Sequence, residues 1–280
     1  MPSHEDDHSR ILTPQGRALR IHDIENTLAT QRLGTRFHYF RELDSTNNYA
    51  RILAEGGAPE GEVVIAEQQT RGRGRLARSW ESPPYVNLYC SVILRPALPP
   101  PRAPQITLAA AVALSDAVAD FSPVPPVIKW PNDILAGGKK LAGVLTEAVS
   151  DSRKIQFVIL GIGVNLNYAL EAMPPEIRRR ATSLALLAGQ SVSREDFLRR
   201  LIQDLDRCYA ILEERGFAAL APQWDLRFGL RGRAVRVEMT DGAITGRALG
   251  IDADGLLIVE SAGERHRIVA GDVIPVEDGN

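Results

Sequence analysis

The run Lys129-Trp130-Pro131-Asn132-Asp133, with Lys140-Leu141-Ala142-Gly143 close behind it, restricts the fold more than any other stretch of the chain. Val127-Ile128-Lys129-Trp130 reads as a short buried strand, because β-branched and aromatic side chains suit a covered pleated surface. Proline cannot donate to a ladder, so Pro131-Asn132-Asp133 breaks that strand. Gly137-Gly138 then makes a hairpin, from which Leu141 to Ala148 returns as a second strand. Two cations, an amide and a carboxylate thus gather around one turn, a composition suited to a polyanion. Taken alone, the pattern also describes a surface hairpin whose lysines face solvent.

Two other segments tilt the balance. Ala66-Glu67-Gln68-Gln69-Thr70-Arg71-Gly72-Arg73-Gly74-Arg75 follows the β-branched run Val63-Val64-Ile65 and precedes Trp80, so a strand runs into a mobile cationic loop. Backbone amides and guanidinium forks alternate there, and both can close on phosphate or carboxylate oxygens. Arg-Gly tracts that contact RNA are usually long and disordered, whereas this one is short and wedged between strands. Asp44-Ser45-Thr46-Asn47-Asn48 clusters short hydrogen-bonding side chains before the helical pattern Tyr49 to Glu55; by itself it reads as helix capping by Ser45 or Asp44. Gly161-Ile162-Gly163-Val164-Asn165-Leu166 is a Gly-rich strand end in which Asn165 is the obvious polar group.

In this order the segments closely resemble the biotin protein ligases, in which an Asp-Ser-Thr-Asn segment, a Gly-Arg-Gly-Arg loop and a Lys-Trp-Pro-Asn-Asp…Lys-Leu-Ala-Gly hairpin build one active site. The likeness covers roughly Phe37 to Asn167. It implies an α+β fold: a mixed β-sheet catalytic domain flanked by helices, of the class II synthetase-like biotin/lipoate ligase kind, with a small C-terminal SH3-like β-barrel. It also implies a reaction, in which ATP activates biotin as biotinyl-5′-AMP and the biotinyl group passes to one lysine of a biotin carboxyl carrier domain, in acetyl-CoA carboxylase or another biotin-dependent carboxylase.

By the same resemblance Ser45, Thr46 and Asn47 meet the ureido head of biotin, as does Gln69. Arg73, Gly74 and Arg75 fold over the biotin carboxylate and the adenylate phosphate, with Lys140 beside both and the backbone from Leu141 to Gly143 lining the pocket. Trp80 packs against adenine, and Asn132 and Asn165 lie near the nucleotide. Mg²⁺ arrives with ATP, near Asn165, without an assignable protein ligand. Arg75, Lys129, Asp133 and Lys140 form the catalytic set, Asp133 orienting the acceptor lysine. The residue types suit the chemistry: two anions must meet when a carboxylate attacks an α-phosphate, and cations already in place offset the repulsion. No Gly-x-x-x-x-Gly-Lys-Ser/Thr loop is present to do this instead. The sequence departs from the family pattern at Leu76-Ala77, where a basic or polar residue and then glycine are common, and at Arg71, where a small residue is common.

The rest of the chain fits such an enzyme. Its 280 residues suit one medium and one small domain, and 33 Lys+Arg against 35 Asp+Glu give a formal charge of −2, which offers no basic field for a dedicated nucleic-acid binder. Cys90 and Cys208 have no zinc or disulfide-scaffold spacing. With an acidic N-terminus and no run of about 18 apolar residues, a cytoplasmic location is expected, with no membrane or specific nucleic-acid partner. The expected organisation is a polar tail and linker helix (1–35, helical over Ile21 to Gln31), a catalytic domain (36–230) and an SH3-like domain (231–280). Strands are expected at Arg36 to Leu43, Asn87 to Arg95 and Ile155 to Val164, and helices at Ile106 to Phe121 and Phe197 to Glu214. Beyond Gly232, short strands at Ala234 to Met239, Ile244 to Ile251, Leu256 to Glu260 and His266 to Val269 alternate with Gly turns.

Only 43 residues precede Asp44, fewer than a winged helix-turn-helix needs, so the resemblance points to a monofunctional ligase, monomeric or weakly dimeric. The alternatives are a lipoate or octanoate ligase or transferase on the related fold, and, in another class, a biotin-sensing DNA-binding repressor.

Overall fold

The computed structural model describes residues 16–276; the expected N-terminal tail, with His4 and His8, falls almost wholly outside them. A seven-stranded mixed sheet carries the larger part of the chain. Its strands are β1 (Arg36–Leu43), β2 (Glu62–Gln69), β3 (Leu88–Leu94), β4 (Val127–Lys129), β5 (Asp133–Ala136), β6 (Lys139–Ser150) and β7 (Ile155–Val164). They lie in the order β1-β2-β3-β7-β6-β5-β4, and the parallel pair β1 and β2 is joined by helix α2 (Thr46–Glu55).

Both faces of the sheet are covered, which explains why Val63, Val64 and Ile65 are all fully buried. Val64, Ile93, Phe157 and Ile159 pack with Ala50 and Ala54 of α2. Val63, Ile65, Val92, Val158 and Leu160 face the other way, into the main core with α3 (Pro104–Phe121) and α6 (Arg194–Arg215). Alanines 109, 110, 111 and 113 are all buried; small side chains let α3 lie close to both the sheet and α6. On α6, Arg194 forms a buried ion pair with Glu67 of β2, at 2.7 Å, and Leu19 N–H and Tyr39 OH donate to the same carboxylate. The N-terminal segment is thereby tied to the strand that ends at Gln69.

A second, antiparallel sheet of five strands follows: β8 (Ala234–Met239), β9 (Gly242–Ile251), β10 (Leu257–Ser261), β11 (Glu264–Ile268) and β12 (Asp272–Pro275). The order is β11-β10-β9-β8-β12, so the edges are β11 and β12. Val235, Val237, Ala248, Leu257, Val259 and Val273 bury its inner face. The two sheets meet where Trp130 Nε1 donates to Gly255 O at 3.2 Å and Gln105 Nε2 to Asp254 O at 3.1 Å. Gly255 has φ 88°, and a Cβ there would lie 2.1 Å from Leu108 Cδ1, so a glycine suits this approach.

The expected helix over Ile21 to Gln31 is corrected: α1 spans only Ile21–Glu25. Beyond it, Asp206 on α6 accepts hydrogen bonds from the N–H groups of Gln31, Arg32 and Leu33 at 2.8 to 2.9 Å, which holds the end of the expected segment out of a helix. Three short helices, α4 (Pro175–Arg178), α5 (Leu184–Ala188) and α7 (Ala221–Leu226), carry too few residues to show periodicity in sequence. Among the described residues no helix is long and apolar enough to cross a membrane.

Candidate active site

The site begins where β1 turns into α2. Ser45 has an extended backbone (φ −159°, ψ 135°) and occupies the cap position, but its side chain makes no capping bond. Asp44 organises the turn instead: Oδ1 accepts from Ser45 N–H at 2.7 Å and Oδ2 from Asn48 Nδ2 at 2.6 Å. The Asn48 bond is the main cause holding the Asp44 carboxyl below the usual range, against a smaller effect of burial. With the cap provided elsewhere, Ser45, Thr46 and Asn47 face the interior at 2 to 4% exposure. Buried polar groups need partners, and these are specific. Thr46 N–H donates to Gln69 Oε1 at 2.9 Å, Asn47 Nδ2 donates to Glu147 Oε2 at 2.8 Å, and Ser91 Oγ lies 2.6 Å from Asn47 Oδ1 and 2.8 Å from Thr46 Oγ1. A Cβ on Gly161 would sit 2.1 Å from Asn47 Oδ1, so the glycine admits the amide to the sheet surface.

Beside this polar head the sheet carries a trench. Tyr89, Gly163, Gly143 and Asp133 are cross-strand neighbours on β3, β7, β6 and β5, and the two glycines leave the middle of the row bare. The Trp80 indole lies over it: a Cβ on Gly163 would be 2.6 Å from the ring, and one on Gly143 3.4 Å. Trp80 Nε1 is buried against Gly163 without a hydrogen-bond partner.

Cations ring the trench. The loop between Gln69 and Trp80 is folded as a hairpin, with Gly74 N–H donating to Arg78 O at 2.7 Å and Trp80 N–H to Gly72 O at 3.0 Å. Arg71 pairs with Asp44, Arg73 grips Glu147 with two bonds of 2.7 and 3.1 Å, and Arg78 pairs with Asp272. Arg75 differs. Its guanidinium donates to neutral acceptors, Asn132 Oδ1 at 3.1 Å and Gly271 O at 3.3 Å, and burial pulls its pKa below the usual arginine range while Asp133 and Asp272 oppose the shift. Lys140 Nζ lies 2.7 Å from Asp133 Oδ1 and 5.4 Å from the centre of the Trp80 ring.

At the hairpin tip, Leu76 (φ 55°) and Ala77 (φ 56°) both occupy the left-handed region, as a two-residue turn of this hand requires. This gives the physical reason a glycine suits the second position. Ala77→Gly should stabilise the closed hairpin by about 0.5–1 kcal/mol, read as slower hydrogen exchange at the Gly74 and Arg78 amides; unchanged exchange would show that the tip is unstrained.

The structure brings together Thr46, Asn47, Gln69, Arg73, Gly74, Arg75, Trp80, Asn132, Asp133, Lys140 and Gly143. Two residues stand further back. Lys129 Nζ is 3.9 Å from Asp272 Oδ1, at the boundary with the second sheet. Asn165 is buried, donating to Thr182 O at 3.0 Å, and Thr182 N–H in turn bonds Lys140 O at 2.9 Å. Asn165 therefore meets the site through the backbone that seats Lys140. Sequence reasoning missed Ser91, Glu147 and Asp272. Ser91 carried one signal, a small hydroxyl side chain in a strand, Leu88–Leu94, otherwise made of large apolar and aromatic residues and Cys90.

Two family profiles match the chain: the biotin/lipoate A/B protein ligase family over residues 39–165, and the biotin protein ligase C-terminal domain over residues 231–274. A bifunctional ligase/repressor BirA of Bacillus subtilis is 35% identical over 264 residues, covering 94% of this chain and 81% of that protein. The chain belongs to the biotin protein ligase family. A biotin–[acetyl-CoA-carboxylase] ligase of Mycobacterium tuberculosis is 36% identical over 263 residues, 89% of this chain and 94% of that one. In three dimensions the chain is similar to a biotin protein ligase from Aquifex aeolicus in complex with biotin and ATP, with a TM-score of 0.75 and 28% identity over 86% of this chain and 99% of that chain. The expected fold, a large mixed sheet with a separate antiparallel C-terminal sheet, is that of the biotin protein ligase family.

Proposed function

We propose that this chain activates biotin with ATP as biotinyl-5′-AMP and transfers the biotinyl group to a lysine of a carboxyl carrier domain. One observation carries the reading: a buried polar head, a glycine-floored trench covered by an indole, and the cations Arg75 and Lys140 lie beside one another. A ureido group offers two N–H donors and a carbonyl, matching Ser45, Thr46, Asn47 and Gln69. The apolar chain and ring of biotin would lie alongside Gly143 and the Trp80 indole. At its end the biotin carboxylate attacks the α-phosphate and pyrophosphate leaves, while Arg75 and Lys140 offset the gathering charge. The acceptor lysine's amine then displaces AMP, with Asp133 as the anion that orients it.

Arg73 and Gly74 form the stem that sets the height of Arg75. Asn132 holds the Arg75 guanidinium, and Asn165 supports Lys140 from behind. Lys129 anchors the hairpin toward Asp272. Mg²⁺ would enter on the ATP phosphates, for among the described residues no group of three His, Cys, Asp or Glu side chains could cage it. The cytoplasm, where carboxylase carriers and ATP occur together, is the proposed location, and it suits the free buried thiols Cys90 and Cys208, each pushed up to about 12 by burial.

Lipoate is the rival substrate on this fold, and the polar head argues against it, since a dithiolane would leave Thr46, Asn47 and Gln69 facing sulfur and carbon. Pyrophosphate exchange is therefore expected with biotin and about 10⁴-fold less with lipoate or octanoate, as for sites built around a ligand's hydrogen bonds. Equal exchange with lipoate and biotin would overturn the assignment.

A further inference from the structure

A polar chain leaves one stem of the arginine loop and returns to the other by way of the pocket head. Arg73 donates twice to the Glu147 carboxylate, whose Oε2 also accepts from Asn47 Nδ2 at 2.8 Å. Asn47 Oδ1 meets Ser91 Oγ, which meets Thr46 Oγ1; the Thr46 N–H and hydroxyl both address Gln69 Oε1, at 2.9 and 3.2 Å. Gln69 Nε2 then donates to Ser82 Oγ at 3.1 Å, Ser82 Oγ donates to Trp80 O at 3.0 Å, and Trp80 N–H closes the circuit on Gly72.

Glu147 is the anion of this circuit, at the polar head, and the bidentate guanidinium of Arg73 neutralises it there. The same carboxylate decides which way the Asn47 amide points. It can only accept, so it takes the Nδ2 side and turns Oδ1 toward Ser91.

We propose that Glu147 is a positioning residue for the ligase reaction: it pins the Arg73 stem of the loop and fixes the Asn47 amide, so that the loop and the biotin head site are set by one carboxylate. The proposal rests on the ligase reading for its kinetic part only. Arg73 is spent on Glu147, leaving Arg75 as the loop arginine that meets incoming anions. A ligand that binds Asn47 and Gln69 thereby touches both anchors of the loop.

Glu147→Gln keeps the size of the side chain but removes the charge and one acceptor. In the ligand-free protein it should speed hydrogen exchange at the Gly74 and Arg78 amides about three- to tenfold, and Arg73→Gln should do the same. In pyrophosphate exchange, KM for biotin should rise by about the same factor with kcat falling less than threefold, because ground-state seating is lost rather than charge stabilisation. The double variant should be no worse than about twofold beyond either single one, as expected when two residues act through one bond. Unchanged loop exchange, or single effects that multiply in the double variant, would overturn the proposal. Wild type without biotin-dependent exchange would instead remove the ligase reading, while the loop measurement still decides whether Glu147 anchors Arg73.

Discussion

Lys140→Ala is expected to slow adenylate formation by about 10²–10³-fold while the protein stays folded. The side chain is about one-third exposed, and its ammonium contacts Asp133 and the Trp80 ring. The structural work at this position is done by the backbone, since Lys140 N–H bonds Arg180 O at 2.8 Å and Lys140 O accepts from Thr182 N–H whatever the side chain. Removing the ammonium withdraws a cation from the point where carboxylate and phosphate converge, and leaves Asp133 uncompensated beside them. Single-turnover formation of biotinyl-AMP at saturating biotin and ATP measures the effect. A rate within a few-fold of wild type, in a variant with an unchanged melting temperature, would reduce Lys140 to a solvated hairpin lysine.

Arg75→Gly is expected to release the adenylate about 10- to 150-fold faster than wild type, the range for one hydrogen bond to a charged group. Arg75 is half-buried and bonded to neutral oxygens of Asn132 and Gly271, with Asp133 and Asp272 acting on it only at longer range, so an arriving anion can bond it directly. Arg71, Arg73 and Arg78 already have carboxylates and gain less. Arg75 also ties the loop to the second sheet, so its loss loosens a cover that shields the mixed anhydride from water. The intermediate's half-life on the protein, and biotin found on bystander lysines, should change together. An intermediate held as long as in wild type would remove Arg75 from this role.

Local signals made the strands and the three motif blocks legible. Arg36–Leu43, Ile155–Val164 and Ala234–Met239 end where their turn residues say they should, because alternation and Gly or Asp at a turn act within a few residues. The Gly137-Gly138 hairpin was readable for the same reason, both glycines having positive φ. Against this, the helical pattern from Ile21 to Gln31 stops at Glu25, and Asp206, far along the chain, claims the amides of Gln31, Arg32 and Leu33 at its end.

By itself the sequence marked candidate charged and hydrogen-bonding residues at strand ends and in one Gly-Arg loop, since those features are set by neighbours in the chain. Only the tertiary structure decided their partners. Gly143 faces Gly163 through strand register, which makes the trench. Ser91 and Glu147 reach Asn47 from β3 and β6, and Asp272 reaches Arg78 from the second sheet. It also decided that Arg73 is already paired while Arg75 is not. The two are alike in sequence, and the difference comes from which side of the hairpin each faces and from the carboxylate that long-range packing places there.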